Sequence, residues 1–219
     1  MNSGIGAAMQ GGRRGNGVER PRQHLDWYPT PPDCTEALLD RIHLKGPVWE
    51  PCCGDGSLAR VMEARGLKVI GTDLFDRGYG EGHGDAYDIL KVTELLADEV
   101  VTNPPFNIAA PIIRHLLSLR PRTLALLLKS SFWHASSRAA LFHEHPPSRI
   151  IALTWRPDFL GLKRPAMEVI WTVWERDHEG PTAYELAARP RGGRIRLRDS
   201  HLGVIDSPGG SIDHSGTID

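Results

Sequence analysis

The sequence predicts an α/β fold: a doubly wound, mostly parallel sheet with an antiparallel hairpin at one edge. Three observations carry that expectation. Short apolar runs alternate with stretches of helical period between about residues 33 and 174, the pattern of strands joined by crossover helices. One such run leads into the Gly-rich turn Gly54-Asp-Gly56, which opens a helix, and an acid, Asp73, follows about 20 residues on. The run Thr123-Leu-Ala-Leu-Leu-Leu128 is apolar throughout, as suits a central strand covered on both faces.

The elements follow in order. Asp26-Trp-Tyr-Pro-Thr-Pro-Pro32 is a stiff, extended lead into a helix. Asp33 is placed to cap that helix, Glu36 stands three residues later as in a capping box, and Leu38, Leu39 and Ile42 share a face. Gly46-Pro47 stops it. Val48-Trp49 is a short buried strand, Glu50 to Gly56 its exit, and a helix with Leu58, Val61 and Met62 on one face runs on to Gly66. Leu67 to Thr72 is the next strand, ending in Asp73. Residues 74–87 form a long glycine-rich loop that closes at Asp88-Ile89-Leu90. A short helix over Thr93–Leu96 and the strand Glu99–Thr102 follow, then a helix over Ile108–Leu119 with Ile112, His115, Leu116 and Leu119 inward. Beyond the central strand come Lys129-Ser-Ser-Phe-Trp133 and a helix from about Ser136 to His143. The strands Arg149–Trp155 and Glu168–Trp174, joined by the turn-rich loop 156–165, make the antiparallel edge.

Composition bounds the function. At 219 residues, 40% of them hydrophobic and 24% charged, the chain can bury one substantial core. No apolar run approaches the roughly 20 residues that a membrane span needs. Residues 1–23 are rich in Gly and Arg and lack the apolar region of a secretory signal. Cys34, Cys52 and Cys53 are too few and too irregular for a disulfide framework, which fits a reducing cytoplasm. The adjacent pair has no partners at zinc-ligand spacing, and His83, His134, His143 and His145 form no ligand set, so no metal is expected. The net charge of −1 hides an uneven distribution: residues 1–24 carry +3, residues 189–198 carry +5, and residues 25–188 carry −5. We therefore expect a flexible basic arm over 1–23, a folded domain over 24–178, and a flexible tail over 179–219 that contains the Arg-rich run 189–198. Such arms either reach the phosphates of a nucleic acid or serve as solubilising tails.

The chemistry concentrates in Val101-Thr102-Asn103-Pro104-Pro105-Phe106, where an apolar run ends in two prolines that force a stiff bend. The bend presents an amide side chain, a carbonyl and an aromatic face, the parts needed to hold a planar group bearing an amino nitrogen. Asn-Pro-Pro-Phe matches the fourth motif of the S-adenosylmethionine (AdoMet)-dependent amino-methyltransferases. Gly54-Asp-Gly-Ser-Leu-Ala59 fits the dinucleotide pattern G-x-G-x-x-A as well as it fits an AdoMet loop. Glu50 tilts the choice, because a carboxylate before the glycines suits the ammonium of methionine and faces a pyrophosphate badly. Asp73 is placed to accept from ribose hydroxyls. Asp88, with Asp85 as its rival, is placed to accept from an adenine amino group, with Ile89 packing on the ring.

Tyr28-Pro-Thr-Pro-Pro32, Trp49-Glu-Pro-Cys-Cys-Gly-Asp-Gly56, Gly71-Thr-Asp-Leu74, Asp88-Ile-Leu90 and Thr102-Asn-Pro-Pro-Phe106 occur in this order. Together they resemble the motifs of the small class I DNA N6-adenine methyltransferases carried by phages and prophages, over about residues 24–178. Phe142-His-Glu-His-Pro-Pro147 and Val169-Ile-Trp-Thr-Val-Trp174 are looser echoes. The resemblance implies a Rossmann-like class I methyltransferase sheet in the cytoplasm of a bacterial or phage-infected cell. It implies transfer of a methyl group from AdoMet to N6 of an adenine flipped out of double-stranded DNA. It further implies that Thr30, Glu50, Gly54, Gly56, Asp73 and Asp88 hold AdoMet, and that Asn103, the Pro104 carbonyl and Phe106 hold the base. Lys129, Trp133 and Arg138 are candidates for touching the target strand. Larger members carry a separate target-recognition domain, for which this chain has no room, so loops 75–87 and 156–165 and the arms would read any sequence. Asn-Pro-Pro-Phe without the Tyr-Pro-Thr-Pro lead also occurs in ribosomal RNA guanine-N2 and protein glutamine-N5 methyltransferases. An RNA base (guanine N2 or adenine N6), a protein glutamine N5, or a non-catalytic or NAD-binding α/β module remain alternatives.

Overall fold

A computed structural model describes residues 28–190 except Leu162, Arg164 and Ala166. The basic N-terminal arm, Asp26-Trp27 and the part of the Arg-rich tail after Pro190 lie outside the described residues. The elements run α1 (Pro32–Leu39), β1 (Val48–Glu50), α2 (Ser57–Ala64), β2 (Val69–Asp73), β3 (Gly82–His83), β4 (Glu99–Thr102), α3 (Ala109–Ser118), β5 (Thr123–Lys129), α4 (Ala139–Glu144), β6 (Arg149–Leu153), β7 (Val169–Glu175) and β8 (Ala183–Ala187). The strands form one sheet in the order β3-β2-β1-β4-β5-β7-β6-β8. Only β7 runs against the others, pairing antiparallel with both β5 and β6. The sheet is doubly wound as the sequence predicts.

Alternation along β5 divides the core. Ala125 and Leu127 pack with Cys34, Ala37 and Leu38 of α1 and Leu58, Ala59 and Met62 of α2. Leu124, Leu126 and Leu128 face the other way, onto Ile112, Ile113 and Leu116 of α3 and Leu141 of α4. Every β5 residue from Thr123 to Leu128 is buried, which is why the run carries no polar alternation. Buried indoles find partners across this core: Trp171 Nε1 donates to the Cys34 carbonyl at 2.8 Å and Trp49 Nε1 to Thr72 Oγ1 at 2.9 Å.

Four local expectations change. Asp33 does not cap α1: Pro31 holds the N-cap position and Pro32 the first turn, where a missing N–H costs nothing. Asp33 Oδ2 instead accepts from Arg189 at 2.8 Å. Residues 93–96 are bends and irregular chain, not a helix. The loop 74–87 contains β3, which pairs parallel with β2 through Thr72 and Asp73. Finally, β7 inserts between β5 and β6, and the edge belongs to β8, which adds parallel to β6 over five register pairs. The folded body thus runs past residue 178, where the sequence reading ends it. No helix among the described residues is long and apolar enough to cross a membrane.

Candidate active site

β1 and β4 lie side by side while their connections leave toward opposite sides of the sheet, so a crevice opens beyond their carboxyl ends. Three sequence-predicted residues arrive there by strand position. Glu50 is the last residue of β1, Asp73 the last of β2, and Asn103 the first after β4. An open pocket of about 650 Å³ occupies the crevice, lined by Asp73, Asp88, Asn103 and Pro104 among others.

The glycine turn is built around Asp73. Gly54 and Gly56 adopt left-handed φ of 54° and 78°, and the Gly56 N–H closes the turn on the Cys53 carbonyl at 2.8 Å. Asp73 Oδ2 accepts from the Gly54 N–H and Oδ1 from the Phe75 N–H, both at 2.9 Å. Each carboxylate oxygen keeps a further lone pair for a ligand hydroxyl. Gly56 serves a side chain as well as a turn. A Cβ on it would lie 2.4 Å from Tyr79 Cδ2 and Cγ, and one on Gly71 would lie 2.6 Å from Tyr79 Cε1. Tyr79 fills this space and donates its hydroxyl to Glu63 of α2 at 2.8 Å. The positive end of α2 is partly taken too, since Asp55 Oδ1 accepts from the Ser57 N–H at 3.0 Å and from its hydroxyl at 2.6 Å. Gly56→Ala is expected to lower unfolding free energy by roughly 2–4 kcal/mol through strain and overlap with Tyr79. Denaturant titration measures it, and adding Tyr79→Ala should recover part of the loss if overlap is the cause.

Glu50 is only 2% exposed, and its Oε2 has no hydrogen-bond partner among the described residues. Burial pushes its carboxyl well above the usual carboxylate range; the Asp73 charge adds to this, and a backbone N–H from Ala59 opposes it. One oxygen of this buried acid is thus left unused among the described residues. Asp88 lines the pocket and Asp85 does not; Lys91 pairs with both, with Asp88 Oδ2 at 3.4 Å. Asp88 Oδ1 accepts from the Leu90 N–H at 3.1 Å, and buried Ile89 follows it on the wall. The Cys52 thiol on the same wall is pushed up by burial and by Asp73, and Cys53 by burial to about 12, so both stay protonated at neutral pH.

Asn103 is held from behind. Its Nδ2 donates to Thr30 Oγ1 at 3.1 Å and to the Tyr28 carbonyl at 3.4 Å. Its Oδ1 is buried with no partner among the described residues. Phe106 does not offer the free face that its motif suggests. It is half-buried, stacks on Tyr28 with centroids 6.4 Å apart and planes at 24°, and carries the Lys129 ammonium 4.7 Å from its centroid. Tyr28, Phe75 and Tyr87 put their rings on the pocket wall, and Phe106 stacks on Tyr28 outside the lining.

Thr30, Glu50, Gly54, Gly56 and Phe106 lie outside the pocket lining. Thr30 reaches it through Asn103, and Gly54 through Asp73. Trp133 and Arg138 turn inward: Trp133 stacks on Phe142 at 3.9 Å, and Arg138 donates to the Phe132 carbonyl at 2.6 Å. Phe75, Arg77 and Tyr87, which the sequence offers only as part of the loop 75–87 that would read the target, also line the pocket. Their only signal is their place in the glycine-rich stretch after Asp73. No cluster of three or more His, Cys, Asp or Glu placed to hold a metal occurs among the described residues.

No family model matches the chain, and no curated protein matches it by sequence. Solved structures do. The "putative RNA methyltransferase" of Pyrococcus horikoshii superposes with a TM-score of 0.53 at 15% identity, over 74% of this chain and 92% of that one. A "putative class I S-adenosylmethionine-dependent methyltransferase" of Listeria monocytogenes gives 0.48 at 16% identity, over 71% of this chain. This chain spans 62% of the Listeria protein's length. The tRNA (uracil-54, C5)-methyltransferase of Pyrococcus abyssi, solved with S-adenosyl-L-homocysteine, gives 0.44 at 14% identity, over 64% of this chain and 36% of that one. With its strand order and its single reversed strand, this chain has the doubly wound, Rossmann-like fold of the class I methyltransferases.

Proposed function

We propose that the chain transfers a methyl group from AdoMet to the exocyclic N6 of adenine in DNA, with the base flipped out of the duplex. The observation that carries this reading is the buried, unpartnered Oδ1 of Asn103 beside a pocket walled by Asp73 and Asp88. An orphaned acceptor in a low-dielectric wall is costly unless a donor comes to it, and an exocyclic amine brings two N–H groups.

The residues present fit AdoMet. Glu50, with one oxygen unused, suits the methionine ammonium; Asp73, with spare lone pairs, suits the ribose hydroxyls; Asp88 and Ile89 suit the adenine. Bound there, AdoMet supplies a methyl group on an electrophilic sulfonium. The protein's part is positioning and electrostatics. Asn103 Oδ1 and the Pro104 carbonyl accept the two N–H bonds of the substrate amine, drawing its lone pair out of the purine ring toward the methyl group. With AdoMet bound, methylation would leave S-adenosyl-L-homocysteine, and the amine would release one of its protons to solvent. Tyr28, backed by Phe106, gives the base a face to stack on. Methylation at a pyrimidine carbon would need a nucleophile to activate the ring, and the one thiol on the wall, Cys52, is held protonated. That supports an amine as the acceptor.

The test is incubation with methyl-labelled AdoMet and, in parallel, DNA free of N6-methyladenine and RNA, followed by nucleoside analysis. Labelled N6-methyladenine in DNA is expected. Label only in RNA would move the substrate to that polymer, the polymer named in the description of the Pyrococcus horikoshii neighbour. Tight NAD binding without AdoMet binding would overturn the reading of Glu50.

A further inference from the structure

The geometry points to Thr30 as a positioning residue for Asn103, acting through the amide and not through AdoMet. This rests on Asn103 being the acceptor of the substrate amine. A side-chain amide that rotates by half a turn about its last bond exchanges its oxygen for its nitrogen, and would then meet an amine with a donor instead of an acceptor. Something must fix that rotation. Here Nδ2 is pinned by Thr30 Oγ1 at 3.1 Å and the Tyr28 carbonyl at 3.4 Å, so the two donor protons are both engaged and Oδ1 is left free. A carbonyl can only accept; it therefore selects the NH₂ end without ambiguity, while the hydroxyl accepts from the same group and orders it. Thr30 is 4% exposed and lies outside the pocket lining, so its hydroxyl is spent on Asn103. The Pro29–Pro32 lead that carries it has Pro31 at the α1 N-cap and Pro32 in the first helical turn, so the backbone on one side of Thr30 is set by rigid residues. The segment before the first helix thus sets the register of a side chain 73 positions later.

Thr30→Val and Thr30→Ser test this in the full chain. With Val, kcat is expected to fall about ten- to a hundredfold, as small misplacements of reacting groups do, while the AdoMet Kd stays within about twofold. Ser, which keeps the hydroxyl, should restore most of kcat. A second readout needs no turnover. The Asn103 Nδ2 protons, identified by their loss in Asn103→Ala, should exchange with solvent about fivefold faster or more in Thr30→Val, in keeping with one lost hydrogen bond, and at the wild-type rate in Thr30→Ser. Weaker AdoMet binding with kcat unchanged would make Thr30 a cofactor ligand and overturn the inference. Equal loss in both variants would mean packing alone and would also overturn it. If the wild-type protein methylates no nucleic acid, the functional reading fails, and the exchange rates still decide whether Thr30 orients Asn103.

Discussion

Asn103→Ala is expected to cut methyl-transfer turnover well over tenfold while leaving AdoMet affinity within a few-fold. The split follows from where the side chain sits. Its Nδ2 donates to Thr30 Oγ1 and the Tyr28 carbonyl, and its Oδ1 is buried without a partner among the described residues, in a residue that lines the pocket. Truncation removes the acceptor that strengthens as positive charge grows on the substrate nitrogen, an interaction worth more in the transition state than in the ground state. It removes nothing from Glu50 or Asp73. Asn103→Asp should be no better, although it keeps an acceptor. A carboxylate has no N–H for the Tyr28 carbonyl and would set two oxygens against each other at the site of the 3.4 Å contact. Rapid-quench turnover with the labelled methyl group, read beside calorimetric AdoMet binding, measures both quantities. Unchanged turnover in Asn103→Ala would place the acceptor elsewhere.

How much of this was legible in the sequence depends on whether a feature is contiguous. Asn103-Pro104-Pro105-Phe106 and Glu50 to Gly56 are single stretches whose chemistry and strand-end position can be read locally, and the fold brings Asn103 and Asp73 to one pocket. Contacts across long separations are not written in any local pattern. The hold of Thr30 on Asn103, the filling of the Gly56 and Gly71 space by Tyr79, and the stacking of Phe106 on Tyr28 all join distant segments. Short elements are lost for a different reason. β3 has two residues and no period to detect, and it exists because Thr72 and Asp73 offer it an edge. β8 does alternate, with Tyr184 and Leu186 exposed and Ala187 buried, but the acidic, turn-forming residues before it read as the start of a tail. The Asp33 cap fails because two prolines compete for the same turn and win by their fixed φ.

Glu50 should give AdoMet binding and folding opposite responses to pH. In the ligand-free protein its carboxyl is held above the ordinary range, first by burial and then by the Asp73 charge. An ammonium beside it favours the ionised form, so binding below the raised value must expel a proton. Affinity is therefore expected to climb with pH, by up to about tenfold per unit, and to level off above the raised value. Folding runs the other way. Between the unfolded and folded values the folded chain holds the Glu50 proton and the unfolded chain does not, so stability falls as pH rises through that window. Glu50→Gln removes the ionisation, so it should flatten both curves. The variant should bind AdoMet more weakly than wild type at high pH, yet be more stable there without ligand. Calorimetry in buffers of different ionisation enthalpy counts the proton released on binding, and ligand-free melts across the same pH series give the stability slope. A ligand site that strains the protein predicts this crossing; a carboxylate that merely braces the fold predicts that Glu50→Gln loses stability at every pH. The second pattern would remove Glu50 from the AdoMet site and leave Asp73 and Asp88 as the pocket's carboxylates.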